Sequence, residues 1–184
     1  MLIALEGGDG VGKSTLSYLL AKKIPAKLLS APTRNYLKSR DRVDSKVSLQ
    51  EHYDFYRNGI IEASVEIAHL LCNGDKIILD RYWLSTYTYH KLGGLTITED
   101  DFSTVVQPTL TVLLQVDPVV QAARILHKDA GKVDHASLSK QIEIAAAFRK
   151  NVEDLRIPFI LIDTLKHPPE ECADIVIKAV TSSR

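Results

Sequence analysis

The chain has 184 residues, 45% hydrophobic and 25% charged, which is ordinary for one globular domain and long enough to bury a sizeable core. Its 23 basic side chains balance 23 acidic ones, so no global basic excess argues for a nucleic-acid partner. No apolar run of roughly 18 residues suggests a membrane span, and two cysteines, Cys72 and Cys172, make no disulfide framework.

In chain order, residues 2–6 read as a short, fully buried strand stopped by glycine. The chain enters this strand at residue 2, which leaves no room for a leader peptide and gives the expectation of a cytoplasmic protein. Gly7-Gly8-Asp9-Gly10-Val11-Gly12-Lys13-Ser14-Thr15 follows and fits the phosphate-binding pattern G-x-x-x-x-G-K-[ST]. Its glycines let backbone N–H groups turn inward around a polyphosphate. Lys13 would reach the β- and γ-phosphates, and the Ser14 hydroxyl would ligate Mg²⁺. The helix beyond would aim its positive end at the anion.

That helix is predicted over 14–24, with Leu16, Leu19, Leu20 and Ile24 on its inner face and Pro25 ending it. A second strand spans 26–30 and is closed by Ala31-Pro32. Residues 33–50 are polar and basic, with Arg34, Lys38, Arg40, Arg42 and Lys46. A long helix over 50–72 carries Ile61, Val65, Ala68 and Cys72 along one face and stops at Asn73-Gly74. The third strand is 76–80. A helix over 83–91 breaks at Gly93-Gly94, and Thr98 caps a helix start rich in acids. The fourth strand is 110–116, and Pro118 opens the next helix. Residues 127–136 have no apolar period and read as a short lid loop. Leu138, Ile142, Ala145, Phe148, Val152 and Leu155 mark a long helix; 157–162 is the fifth strand and 169–181 a closing helix. Cys72 and Cys172 fall on apolar helix faces and are expected to be buried thiols.

Five strands alternating with helices predict an α/β fold of three layers: a five-stranded parallel sheet flanked by helices, with right-handed crossovers. Ligands of such sheets bind outside the carboxyl ends of the strands. Beyond the third strand stands Asp80-Arg81-Tyr82. Asp80 is placed to hold Mg²⁺ beside the phosphate loop, or to cap the next helix. Arg81 suits a phosphate, or a surface ion pair. Trp83, Tyr87 and Tyr89 either line a pocket for a flat base or pack the helix on the sheet.

These blocks resemble the thymidylate kinase family, whose phosphate loop carries an acid between its glycines, as Asp9 does here. Asp80-Arg81-Tyr82 with Ser85 and Tyr89 is similar to that family's Asp-Arg-Tyr segment, and Leu114-Gln115-Val116-Asp117-Pro118 resembles the strand end before its lid. The resemblance implies a single P-loop NTPase domain over 1–184 that transfers the ATP γ-phosphate to a nucleoside monophosphate, dTMP or a relative. It implies ATP and Mg²⁺ as cofactors, nucleotide partners but no nucleic acid or membrane, and a homodimer through the long helices. By the same likeness Asp9 lies near the acceptor sugar and phosphate, Arg81 grips the acceptor phosphate, and Arg57, with Phe55 beside it, reads the base. Arg34 falls where the family has an Arg-Glu-Pro segment.

Three departures stand out. Gly10 occupies the place where some members carry a catalytic arginine, and 127–136 contains Lys128 and Lys132 but no arginine. Arg124, just before that loop, and Lys128 and Lys132 within it are the candidates to complete the site. His90 stands where the family has glutamine beside the base, and 33–50 is unlike the family. A nucleoside or other small-molecule kinase, with Glu6 or Asp80 as base, and a weakly active nucleotide-binding homologue are the alternatives.

Overall fold

A computed structural model describes residues 1–32, 36, 43–44, 47–128 and 137–182. In chain order these form β1 (Leu2–Glu6), α1 (Lys13–Lys23), β2 (Lys27–Ser30), α2 (Leu49–Cys72), β3 (Ile77–Asp80), α3 (Trp83–Leu92), a 3-10 turn (Glu99–Phe102), β4 (Leu110–Gln115), α4 (Pro118–Lys128), α5 (Leu138–Asp154), β5 (Phe159–Asp163) and α6 (Pro169–Ser182). The five strands make one parallel sheet in the order β2-β3-β1-β4-β5.

β1 lies in the middle, and its side chains are buried on both faces. Leu2, Ala4, Ile77, Leu79 and Leu113 face one layer, packed with Tyr53, Ile60 and Ile67 of α2, Trp83 and Tyr87 of α3, and Phe148 and Val152 of α5. Ile3, Leu5, Ile78, Val112 and Leu114 face the other, against Leu16 and Leu20 of α1 and Cys172 and Val176 of α6. The alternation follows from the two-residue period of a strand. Neighbours of β1 come from β3 on one side and β4 on the other, so the loops after β1, β3 and β4 converge at one rim of the sheet.

The fold class and the strand count agree with the sequence reading, while several faces differ. The buried face of α2 is Tyr53, Ile60, Ala63 and Ile67, not Ile61, Val65, Ala68 and Cys72. Val65 is 70% exposed and Cys72 is an exposed thiol, whereas Cys172 is buried as expected. The reason is that α2 carries apolar residues on more than one face, and only the sheet decides which face it covers. In α5 the inner face is Gln141, Ile144, Phe148, Asn151 and Val152, while Leu138 and Ile142 are exposed. Thr98 begins only a 3-10 turn, its N–H donating to Asp101 Oδ2 at 3.0 Å. His127 and Lys128 end α4 rather than open a loop. Trp83 and Tyr87 are core residues between helix and sheet, which decides between their two readings.

Candidate active site

The phosphate loop crosses the rim between β1 and α1. At Gly7 the backbone has φ 128°, and a Cβ would lie 2.5 Å from the Leu114 carbonyl oxygen, so no other residue fits. Lys13, the first residue of α1, is folded back beneath the loop. Its Nζ donates to the carbonyls of Gly7, at 3.0 Å, and Gly8. Burial, with the positive charge of Arg81 adding to it, pushes the Lys13 ammonium down to about 7. Ser14 Oγ donates to Asp80 Oδ2 at 2.7 Å, which brings the two candidate metal ligands together at the ends of β3 and the loop.

Arg81 leaves β3 in the left-handed region, φ 71°. Its backbone N–H donates to Leu5 O at 3.0 Å, and the next N–H, of Tyr82, donates to Glu6 Oε1 at 2.9 Å. The turn therefore throws the guanidinium back over β1. Nη2 meets Asp9 Oδ1 at 2.6 Å; Nη1 donates to Gly7 O and Ser85 Oγ, each at 3.0 Å. The Tyr89 ring lies beneath it, 5.6 Å from its centroid. Ser85 Oγ in turn donates to Glu6 Oε2. Glu6 is 1% exposed, and burial raises its pKa against the opposing pull of Ser85, Arg81 and Tyr82. Its carboxyl is spent on holding the Arg81 turn.

On the far side of the loop, α4 lies flush against residues 8–10. Gln121 Nε2 donates to Asp9 O at 2.7 Å. Arg124 Nη1 donates to Gly10 O and to Thr164 Oγ1 beyond β5, each at 3.3 Å. Of the three candidates to complete the site, Arg124 is thus seated on the loop beside Gly10.

Gly7 to Thr15, Asp80, Arg81, Ser85, Tyr89 and Arg124 are brought to one place. Three candidates are not. Arg57 donates from Nε to Asp101 O at 3.2 Å, with Asp101 Oδ1 at 3.7 Å, on the 3-10 turn. Phe55 packs edge-on against Tyr36, centroids 4.9 Å apart. His90 is buried and turned toward α2: its Nδ1 donates to Thr86 O at 2.7 Å, and its Nε2 lies 2.7 Å from His52 Nδ1. His52 Nε2 continues to Asp44 Oδ1 at 3.2 Å, and the Tyr56 hydroxyl donates to the same oxygen at 2.9 Å. Arg34, Lys132 and most of the candidate lid lie outside the described residues. Gln121, Thr164 and His52 are not among the sequence candidates, and Glu6 enters there only as a possible base, not as the anchor of the Arg81 turn. A glutamate ending an otherwise apolar strand was the one available signal, because a buried acid needs partners.

Comparison with known proteins agrees along the whole chain. The thymidylate kinase family model matches residues 5–175. A probable thymidylate kinase from Archaeoglobus fulgidus is 28% identical, covering 99% of this chain and 95% of its own. Another from Pyrobaculum aerophilum is 29% identical over 94% of this chain and 93% of its own. The fold matches that of a thymidylate kinase from Candida albicans with a TM-score of 0.80 at 20% identity, covering 99% of this chain and 91% of that one.

Proposed function

The chain belongs to the thymidylate kinase family, and from that premise we propose that it transfers the γ-phosphate of ATP to dTMP, giving ADP and dTDP. One observation carries the reading beyond the phosphate loop. Arg81 is tied both to the Gly7 carbonyl and to Asp9, so a phosphate-binding guanidinium from β3 overhangs the donor cradle. Transfer between two anions needs that arrangement of positive charge more than a covalent nucleophile. In this reading Lys13 and the loop amides hold the donor phosphates, Arg81 orients the acceptor phosphate, and Arg124 closes the donor side. Of the two carboxylates a nucleoside kinase could use as base, Glu6 is buried and already accepts from Tyr82 and Ser85, and Asp80 accepts from Ser14, which favours the monophosphate as acceptor.

Ser14 and Asp80 would hold Mg²⁺: a hydroxyl and a carboxylate are hard oxygen donors of the kind that ion takes, and phosphate and water complete its shell. When bound, the ion offsets negative charge on the phosphates in transit. The exposed stripe of α2, with Val65 at its centre, belongs to the same reading as the contact of a homodimer. No described helix is long and apolar enough to cross a membrane, in keeping with a cytoplasmic enzyme.

The test is ADP release with ATP, Mg²⁺ and a panel of monophosphates and nucleosides. Turnover with dTMP that stops when Mg²⁺ is chelated is expected. Lys13→Ala should fold, as judged by circular dichroism, and lose at least roughly 10²-fold in kcat. Turnover with nucleosides alone, or near-normal turnover in Lys13→Ala, would overturn the reading.

A further inference from the structure

Asp9 supplies the carboxylate that pairs with Arg81, yet it sits between Gly8 and Gly10, whose backbones are the least restrained by side chains of their own. What restrains it comes from α4. Gln121 is 2% exposed, a neutral amide nearly sealed from water, and it spends a donor on the Asp9 carbonyl. The fit is close: a Cβ on Gly8 would lie 2.5 Å from Gln121 Nε2, and a Cβ on Gly10 would lie 3.0 Å from the Gln121 carbonyl oxygen. A buried side-chain amide costs desolvation unless it is bonded, so its bond to Asp9 is strongly specified. The Asp9 peptide is thereby fixed in orientation, and with it the direction of the carboxylate toward Arg81.

We infer that Gln121 is a positioning residue of the transfer reaction: from the helix after β4 it fixes the Asp9 peptide, and through the Asp9 carboxylate it aims Arg81 at the acceptor. In this assignment Gln121 acts on the acceptor half of the site from the donor side of the loop, through its bond to the Asp9 carbonyl. The inference rests on the kinase reading above for its acceptor, but the Gln121 contact is read separately by binding.

The experiment compares the full-length wild type with Gln121→Leu and Gln121→Glu, by steady-state kinetics in ATP and in dTMP and by calorimetric titration of dTMP. A small cavity adjoins Gln121, Gly8 and Phe148, and thermal melting checks that the leucine variant folds. In Gln121→Leu the KM for dTMP rises and kcat/KM for dTMP falls about tenfold to a hundredfold, the scale of one buried hydrogen bond, while the KM for ATP changes little. In Gln121→Glu the same deficit appears at pH 8 and shrinks as pH falls to 6, because a protonated carboxyl again donates to the Asp9 carbonyl. The Leu variant shows no such recovery. Wild-type dTMP affinity and kinetics in Gln121→Leu, or a Glu variant whose deficit does not respond to pH, would overturn the assignment. Wild-type protein that binds dTMP but never turns it over would count against the kinase reading alone, since the binding arm still reports on Gln121.

Discussion

Arg81 holds its guanidinium over β1 only because its backbone takes φ 71°, a region costing an L-residue roughly 1–2 kcal/mol. Two truncations separate that cost from the side chain's role. Arg81→Ala and Arg81→Gly lose the same contacts to Gly7, Asp9 and Ser85, so both should lose activity alike. The glycine variant should nonetheless be more stable than the alanine one by about 1 kcal/mol, read from urea midpoints, because only glycine is at ease there. Equal stabilities would mean that the turn relaxes without the guanidinium. At this scale the sequence was informative where functional residues are contiguous. Lys13, Ser14 and the loop glycines form one string, and Asp80-Arg81 follows a strand. Glu6 and Gln121 were not legible because their roles arise from convergence: Glu6 is 76 residues from Tyr82 N, and Gln121 is 112 from Asp9 O. Nothing in local spacing announces those meetings.

Between elements, the approach of α2 to the end of β2 is limited by Gly59. A Cβ there would lie 2.5 Å from Pro32 Cβ and 3.1 Å from the Tyr36 ring. Alanine in mid-helix ordinarily gains up to about 1 kcal/mol over glycine. Here a rigid pyrrolidine stands in the way, and overpacking costs ~1–3 kcal/mol. Gly59→Ala is therefore expected to lower the melting temperature, and a rise would show that the contact yields. The α2–α3 seam makes a second prediction. Burial lowers the His90 pKa, with His52 adding to it. The folded state thus binds fewer protons there than the unfolded chain, whose histidines titrate near pH ~6.5. The stability this contributes is present above that pH and is lost as pH falls through the folded-state value. Between pH 7 and 5 the wild type should lose stability more steeply than His90→Gln, as followed by denaturant melts; parallel curves would show that His90 is not the group responsible. Helix positions were legible from period and stop signals, as with Asn73-Gly74 at the end of α2, whereas the capping box of Ser48 and Glu51 at its start was not read. Helix faces were not, because Ile61 and Val65 satisfy the same period as Ile60 and Ala63.

For the molecule as a whole, five parallel strands under two helical layers followed from alternating apolar runs and amphipathic segments, whereas their order did not. Putting β1 between β3 and β4 is a choice among topologies that strand composition alone leaves equivalent, since all three strands are apolar. That order has a consequence for how the protein is made. The first functional residues to leave the ribosome are those of the phosphate loop, but the strand beneath them pairs Ile3 with Ile78 and with Leu110. The helix that seats Asp9 begins at Pro118. The supports that β3, β4 and α4 give the nucleotide cradle are thus translated long after the cradle itself, and non-local parallel pairing is the slow kind of folding step. Nascent chains stalled before α4 has emerged should fail to retain ATP although they already carry the complete binding motif.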